Sequence, residues 1–291
     1  MRSYVPVVCG LFFAMAAPIA PAANVNDFID FSLRSATNTL LLPARLYVPP
    51  PAADVSPRPL ILFLHGSGES GLDNLAQVNG NIDFLLAEAK RRDAFLYAPQ
   101  TNIGWAGSTI LTRTMTMIDR AIADQQVDPN RIYVTGLSMG GGGVWNIITR
   151  YPDRFAAAVP ICPVTPSPFD PASLDGQSIW DFHARNDSTV SVNASRNVIS
   201  GILAAASEPV PEYPAFGGLF PNFQYDNNLL DLHYTEFRIG GHGIWSQVYR
   251  RQDMYDWMFG HSLVPEPSTL VILAVSLMGF VMICLRRGSG V

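Results

Sequence analysis

Hydrophobic runs alternate with segments of helical periodicity along most of the chain. Residues 60–64 are apolar at every position and end in glycine-rich sequence, as in a strand that is buried on both faces of a parallel sheet. Before this run, residues 28–48 alternate short apolar and polar stretches, which predicts an antiparallel hairpin. The fold is therefore expected to begin with a hairpin and to continue with a buried parallel strand.

Downstream of that strand, the pattern predicts strands and helices in turn. Such alternation favours an α/β fold with a mostly parallel sheet, helices on both faces and ligands at the carboxyl ends of the strands. The predicted strands are residues 94–98, 131–135, 155–161, 178–183 and 234–239, and the predicted helices are residues 82–92, 108–124, 139–151, 193–206 and 244–259.

Residues 208–231 interrupt this alternation with a long stretch that lacks a helical period. A loop of this length is functional or disordered. Its aromatic side chains predict either a lid or wall for substrate or simple anchors for an irregular loop. These side chains are Tyr213, Phe216, Phe220, Phe223 and Tyr225.

Composition narrows the class of protein. A chain of 291 residues with 48% hydrophobic and 15% charged residues is typical of one globular catalytic domain. The net charge of -5 and the scattered basic residues exclude nucleic acid as an expected partner. Cys9 and Cys284 lie in end segments that we expect to be removed, so Cys162 would remain alone, without a disulfide framework or a cysteine metal cluster.

Both ends of the chain carry targeting patterns. Residues 1–23 have a basic start, an apolar stretch and small residues, which predicts a signal peptide cleaved after Ala22 or Ala23, with a membrane anchor or buried helix as the alternative. Residues 270–285 are free of charge and are followed by two arginines, at the short limit for a transmembrane helix. The positive-inside bias would leave residues 24–263 outside the membrane, and a buried helix is again the alternative.

The C-terminal order of Pro265-Glu266-Pro267, a short apolar span and arginines resembles the PEP-CTERM sorting signal of Gram-negative bacteria that make exopolysaccharide. The resemblance implies recognition by an exosortase and removal of residues 264–291. The expected organisation is a signal peptide, a catalytic domain at residues 24–263 and this tail. The protein would be secreted or on the cell surface, with membrane contact only through its C-terminal span.

A nucleophile elbow is predicted at Ser138. The sequence Gly136-Leu137-Ser138-Met139-Gly140 follows a predicted strand directly and opens a predicted helix, and glycines flank the serine so that a strained turn avoids collisions. The N-terminus of that helix supplies N–H groups for a developing oxyanion. We therefore predict Ser138 as the nucleophile and the N–H of Met139 as an oxyanion donor.

A serine needs a base and an orienting acid, and in this setting they follow in the order acid, then histidine. His242 lies in a glycine-rich loop after a predicted strand and is the predicted base; His233 and His261 are the alternatives. His183 is set aside because it lies inside a predicted strand.

Asp187, in the loop after the strand at residues 178–183, is the predicted acid. Asp181 lies within that strand, where a buried carboxylate needs a partner of its own. Asp181 and Asp175 therefore remain as alternatives for the acid.

The second oxyanion donor is predicted at the N–H of Ser67, in the sequence His65-Gly66-Ser67-Gly68-Glu69 after the strand at residues 60–64. His65 is expected to hydrogen-bond this loop. Glu69, at the rim, is predicted to brace the loop beside the substrate or to be a solvated carboxylate. Trp105 and Trp245 complete the predicted substrate-binding residues.

Residues 60–71, 136–163, 182–190 and 234–249 together resemble the polyhydroxybutyrate depolymerase and feruloyl esterase group, including its predicted peptidase members. The acid motif of that group, Phe-His-Gly-x-x-Asp-x-x-Val, is present with Asp187 as the acid and Ala184 in place of glycine. The group's His-x-x-Trp pattern is also present, and it implies that His242 is the base.

The resemblance implies an exported serine esterase that hydrolyses carboxylic esters through an acyl-enzyme. Its substrates would be polysaccharide-linked or polymeric esters, and it would need no metal or organic cofactor. Two alternatives stay open: a serine peptidase resembling the prolyl oligopeptidases, and a non-catalytic surface protein that keeps the fold.

Overall fold

The computed structural model describes residues 22–51, 56–167, 169–216 and 221–264. The predicted span at residues 270–285 and almost all of the predicted signal peptide lie outside these ranges. Among the described residues, no helix has both the length and the apolar character needed to cross a bilayer.

One sheet of nine strands forms the centre of the described structure. The strands lie in the order β1-β4-β6-β5-β7-β8-β9-β11-β10, and six neighbouring strands, β6, β5, β7, β8, β9 and β11, run parallel to one another. The remaining two strands, β2 and β3, pair by themselves. The strands are β1 Ile29–Asp30, β2 Leu33–Arg34, β3 Leu40–Leu42, β4 Ala44–Tyr47, β5 Arg58–Leu64, β6 Phe95–Pro99, β7 Val127–Leu137, β8 Ala157–Ile161, β9 Ile179–Ala184, β10 Phe223–Asn227 and β11 Leu232–Phe237.

Helices cover both faces of the sheet because its central strands are apolar on both sides. In β5, Leu60 and Leu62 enter one hydrophobic core while Ile61 and Phe63 enter the other. Helices α2, α3 and α4 contribute to the first core, and α1, α5 and α6 contribute to the second. The helices are α1 Asp83–Arg91, α2 Ser108–Gln125, α3 Met139–Arg150, α4 Asn193–Ala205, α5 Trp245–Val248 and α6 Gln252–Phe259.

The predicted α/β architecture is confirmed. One predicted helix is divided in two, which the periodicity did not indicate. The single helix expected at residues 244–259 is two helices, α5 and α6, because Arg251 adopts an extended backbone. The carbonyl of Tyr249 accepts a hydrogen bond from the hydroxyl of Tyr255 at 3.1 Å and so has a partner at the break. After this break, α6 packs against the sheet through the second core.

The described part of residues 208–231 contains a strand that the pattern did not predict. It contains β10, which pairs antiparallel with β11 at the edge of the sheet and alternates half-buried and exposed positions. Tyr213 and Phe223 pack edge-on against Tyr234, so these two aromatics anchor the segment. Phe216 is 59% exposed, and Phe220 lies outside the described residues.

Candidate active site

Ser138 is the single residue between β7 and α3, and its backbone is strained. Its φ of 55° and ψ of -116° lie in a region that costs a non-glycine residue about 1–3 kcal/mol. The turn closes because Gly140 has no side chain: a Cβ there would lie 1.9 Å from the carbonyl oxygen of Leu64. Tight packing against β5 therefore imposes the strained conformation of the serine.

The structure brings the three predicted triad residues together. Ser138 Oγ lies 2.8 Å from His242 Nε2, and His242 Nδ1 lies 2.7 Å from Asp187 Oδ2. The three residues follow β7, β11 and β9, which are parallel, so their carboxyl ends meet at one edge of the sheet. The unprotonated Nε2 of a neutral imidazole whose Nδ1 donates to Asp187 can accept the serine proton.

Asp187 is held as a carboxylate. Burial alone would raise the pKa of Asp187, but hydrogen bonds from His183, His242 and the backbone N–H groups of Val190 and Thr189 outweigh it and hold that pKa well below its usual range. The two backbone bonds, at 2.9 Å and 2.8 Å, both reach Oδ1. Oδ2 is therefore left to face the imidazole of His242.

The structure places the alternative acids and bases elsewhere. Asp181 is buried within β9 and accepts a hydrogen bond from Ser195, while Asp175 is exposed before β9 begins. His233 and His261 lie against Asp231, at the amino end of β11.

Ala184 stands where the motif has glycine. It is the last residue of β9 and is buried, so its methyl group is accommodated in a strand, where a side chain needs no special backbone conformation.

The two predicted oxyanion donors lie in loops that pack together. Met139 begins α3 and Ser67 begins a 3-10 helix at Ser67–Glu69, so neither N–H has an acceptor within its own helix. A Cβ on Gly66 would lie 2.5 Å from Leu137 Cδ1, which places this loop against the elbow. Their role as oxyanion donors stays a prediction.

His65 holds the loop from below, as expected. Its Nδ1 donates to the carbonyl of Gly66 at 2.7 Å and its Nε2 accepts from the N–H of Thr101 at 3.1 Å. Burial lowers the pKa of His65, which keeps this imidazole neutral and lets it serve as donor and acceptor at once.

Trp105, predicted to line the substrate pocket, lies instead in the core beneath this loop. It is 1% exposed, and its Nε1 donates to the carbonyl of His65 at 3.0 Å. The indole fits because residue 143 is glycine: a Cβ there would lie 2.5 Å from Trp105 Cβ. Trp105 thus supports the loop and offers almost no surface to a substrate.

Asn81, which the sequence did not single out, joins the other two predicted substrate-binding residues. Its Oδ1 accepts from Trp245 Nε1 and its Nδ2 donates to Glu69 Oε1, both at 2.8 Å. The Trp245 indole stands at 90° to the His242 ring, with 5.5 Å between centroids. Glu69 and Trp245 therefore form one braced rim beside the imidazole, and their contact with substrate stays a prediction.

Cys162 is a potential metal ligand beside the triad. Its Sγ and ligand atoms of Asp187 and His242 lie within 4.8 Å of one another, close enough to hold a metal ion. Burial, and then the neighbouring carboxylates of Asp187 and Asp181, raise the pKa of the Cys162 thiol. A protonated thiol is a poor ligand, and the carboxylate and imidazole already bond to each other.

Comparison with known proteins agrees with this geometry. A model of the prolyl oligopeptidase family matches residues 105–169, and a model of the PEP-CTERM protein-sorting motif matches residues 263–287. A poly(3-hydroxyalkanoate) depolymerase C of Paucimonas lemoignei is 47% identical over 45 residues, which is 16% of this chain and 11% of the depolymerase.

Solved structures extend the similarity over most of the chain. A thermostable esterase superposes with a TM-score of 0.66 and 29% identity, over 82% of this chain and 64% of the esterase. A fluorophosphonate-binding serine hydrolase of Staphylococcus aureus superposes with a TM-score of 0.56 and 13% identity, over 80% of this chain and 98% of that one. These similarities confirm the predicted α/β-hydrolase fold and the PEP-CTERM motif.

Proposed function

We propose that the protein is a serine esterase that hydrolyses carboxylic esters through an acyl-enzyme on Ser138. His242 takes the hydroxyl proton as Ser138 Oγ attacks the ester carbonyl, and Asp187 stabilises the imidazolium that forms. The N–H groups of Ser67 and Met139 stabilise the oxyanion. Protonated His242 then gives its proton to the leaving alcohol. In the second half of the cycle His242 takes a proton from water as the water attacks the acyl-enzyme, and returns it to Ser138 Oγ as the carboxylic acid leaves.

The observation that carries this proposal is the unbroken line from Ser138 Oγ through His242 to Asp187, with distances of 2.8 Å and 2.7 Å. The strained elbow holds the hydroxyl at the start of that line. An ionised Asp187 fixes the tautomer in which Nε2 accepts a proton. Each of these features serves acyl transfer, and together they disfavour a protein that keeps the fold without activity.

Esters rather than peptides are the proposed substrates because the thermostable esterase is 29% identical over 82% of the chain, whereas a putative dipeptidyl aminopeptidase IV of Bacteroides ovatus is 15% identical over 79%. A peptidase remains the second candidate, since it would use the same three side chains. The matched segment of the depolymerase supports a polymeric ester, and a polysaccharide-linked ester is the alternative substrate within the same chemistry.

We further propose an exported protein that an exosortase processes within residues 264–291. The match to the PEP-CTERM motif at residues 263–287 supports this route. Mass spectrometry of the secreted protein tests it: a C-terminus upstream of residue 270 is expected, and an intact apolar span in the secreted form would contradict processing.

The variant Ser138→Ala tests the catalytic proposal. Hydrolysis of p-nitrophenyl acetate is expected to fall by about 10⁴- to 10⁶-fold, and labelling by a fluorophosphonate should disappear. Full activity in the variant would exclude Ser138 as the nucleophile. A parallel panel of acetylated xylan, feruloylated sugar, polyhydroxybutyrate and peptide amides separates esterase from peptidase by which substrates turn over.

A further inference from the structure

A second line of hydrogen bonds continues behind Asp187 into the core. His183 Nε2 lies 3.3 Å from Asp187 Oδ2 and 3.0 Å from the carbonyl of Val190. His183 Nδ1 lies 2.8 Å from Ser195 Oγ, and Ser195 Oγ lies 2.7 Å from Asp181 Oδ1. The side chains of β9 and α4 thus extend the line from Ser138 by three more residues.

The acceptors around Nε2 of His183 show that this nitrogen carries a hydrogen. Nε2 faces two groups that only accept, the carbonyl of Val190 and the carboxylate of Asp187, so Nε2 carries hydrogen. This nitrogen bonds to the carbonyl of Val190 and also lies 3.3 Å from Oδ2 of Asp187, the same oxygen that faces His242. Oδ2 of Asp187 thus lies close to two imidazoles, 2.7 Å from Nδ1 of His242 and 3.3 Å from Nε2 of His183.

This line is shielded from water. His183, Ser195 and Asp181 are each 0% exposed. Hydrogen bonds in such surroundings are stronger than in water, and an imperfect one is costly, so the geometry is well defined. Asp181 Oδ2 has no hydrogen-bond partner within the part of the chain that the structure describes, which leaves Ser195 to fix the inner end of the line.

We propose that His183, Ser195 and Asp181 form a buried relay that positions the Asp187 carboxylate and sets how strongly it holds the proton on His242. The inference rests on the proposed function, because Asp187 and His242 must act as acid and base for the relay to matter. His183 is a positioning residue in this scheme, since it reaches the reacting atoms only through Asp187.

Burial shifts the pKa of the carboxyl group at the inner end of the relay. Burial raises the pKa of Asp181 to about 7, against opposing contributions from His183 and Ser195. Glu236 lies opposite His183 in the β9–β11 pairing, but its carboxylate is paired with two arginines. The titratable groups that interact with Asp181 from neighbouring elements are Cys162, Tyr213 and Tyr234. Arg185 and Arg196 pair with Glu236 on the adjacent strand.

Two variants of His183 separate its two contacts. The amide nitrogen of His183→Gln lies near the position of Nε2 and keeps a donor for Asp187, whereas that of His183→Asn lies near Nδ1 and loses it. We expect His183→Asn to lower kcat on an ester by roughly tenfold with KM unchanged, the order of loss seen when a hydrogen bond behind a catalytic ligand is removed. His183→Gln should recover most of this loss.

The pH profile distinguishes positioning from simple support of the fold. With one donor fewer, Asp187 holds the proton on His242 more tightly, so the acid limb of kcat/KM should move to higher pH in His183→Asn and return in His183→Gln. Ser195→Ala, which should fold even if His183→Asn does not, is expected to move the limb in the same direction by less. Identical kcat and acid limbs in all of these variants would overturn the relay.

Thr114→Val is the matched control. Thr114 is also 0% exposed and donates to the carbonyl of Ile110 at 2.9 Å within α2, so the variant loses a buried hydrogen bond outside the site. Its stability should fall while kcat and the acid limb stay unchanged. Titration with a fluorophosphonate corrects every rate for the fraction of competent protein.

A wild-type chain that neither hydrolyses esters nor reacts with the fluorophosphonate would contradict the proposed function and not the relay. NMR of ¹⁵N-labelled histidine then tests the relay independently. In His183→Asn the titration of the His242 ring should shift while those of His233 and His261 do not. An unchanged His242 titration would overturn the relay whatever the activity.

Discussion

Two groups of serine, histidine and aspartate lie at opposite ends of the sheet. The carboxyl-end triad consists of Ser138, His242 and Asp187, with Trp245 against the imidazole. The amino-end cluster consists of Ser178, Asp231, His233 and His261, with Trp257 against both imidazoles. The residue types are the same, and the difference lies in how they connect.

In the amino-end cluster both histidines bond to the carboxylate of Asp231, and His233 Nδ1 also lies 2.7 Å from Asp226 Oδ1. Asp231 accepts from Ser178, from His233 at 3.2 Å and from His261 at 2.6 Å. A hydrogen bond to Asp231 raises the pKa of His233, and the same carboxylate outweighs burial to raise the pKa of His261. Each histidine is thereby favoured as an imidazolium, which stabilises an ion pair but has no lone pair to act as a base.

In the carboxyl-end triad the imidazole stands between the other two groups. His242 bonds to Asp187 with one nitrogen and to Ser138 with the other, so a proton can pass from serine to imidazole. Strain also falls on different residues: Ser138 has a φ of 55°, whereas in the amino-end cluster Asp231 has a φ of 48°. The two groups thus differ in connectivity: the imidazole of His242 lies between a hydroxyl and a carboxylate, whereas those of His233 and His261 lie against Asp231.

Removing one histidine from each group should give the largest contrast. His242→Ala is expected to lower kcat on p-nitrophenyl acetate by about 10⁴- to 10⁶-fold, since the serine loses its base. His261→Ala should leave kcat unchanged and lower the free energy of unfolding by about 1–2 kcal/mol, because it loses its contacts with Asp231 and Trp257. Steady-state kinetics and urea unfolding of both variants measure this, and a comparable loss of kcat in the two would erase the distinction.

Asp231→Asn should change the dependence of stability on pH. The lowered pKa of Asp231 gives stability that is present above pH 3.8 and lost as pH falls, whereas the raised pKa values of the two histidines give stability that is present below pH 6.5 and lost as pH rises through those values. The variant should therefore be most destabilised between about pH 4 and pH 6.5, by roughly 1–2 kcal/mol after allowance for solvent screening, and less at pH 9.

Urea unfolding at pH 5.5 and pH 9 measures this difference. Asp119→Asn is the matched control, because Asp119 pairs with Arg154 on the surface and its side chain is 58% exposed. That variant should lose less than about 0.5 kcal/mol at either pH. An Asp231→Asn variant as insensitive to pH as the control would contradict a stabilising role for the ion pairs of Asp231.

The two tryptophans should give the smallest effects. Trp245→Phe keeps a ring beside His242 but loses the bond to Asn81, so kcat/KM is expected to fall by about two- to fivefold with little change in stability. Trp257→Phe loses only a long 3.4 Å bond to Asp231 and should change stability by less than about 1 kcal/mol with unchanged kinetics. Steady-state kinetics and thermal unfolding of both variants measure whether each indole affects catalysis or stability.

Much of the fold followed from local pattern. The run at residues 60–64 and the Gly-x-Ser-x-Gly sequence predicted β5, β7, α3 and the turn between them, because burial on both faces and a strained elbow each require particular residue types at particular positions. The break between α5 and α6 was not predictable in this way. Arg251 adopts an extended backbone there, and the hydroxyl of Tyr255 bonds to the carbonyl of Tyr249, neither of which periodicity reports.

The α/β order, the meeting of Asp187 and His242 with Ser138, and the motif in the C-terminal tail could all be predicted from the amino-acid sequence. Chain order along parallel strands is enough to predict that loops after β7, β9 and β11 share one edge. Which groups bond to which was decided by the tertiary structure alone. His183 was set aside as a strand residue, yet it reaches Asp187, and Trp105 was expected in a pocket, yet it lies in the core. Side-chain contacts between elements far apart in the chain depend on packing across the sheet, which no local pattern of hydrophobic and polar residues specifies.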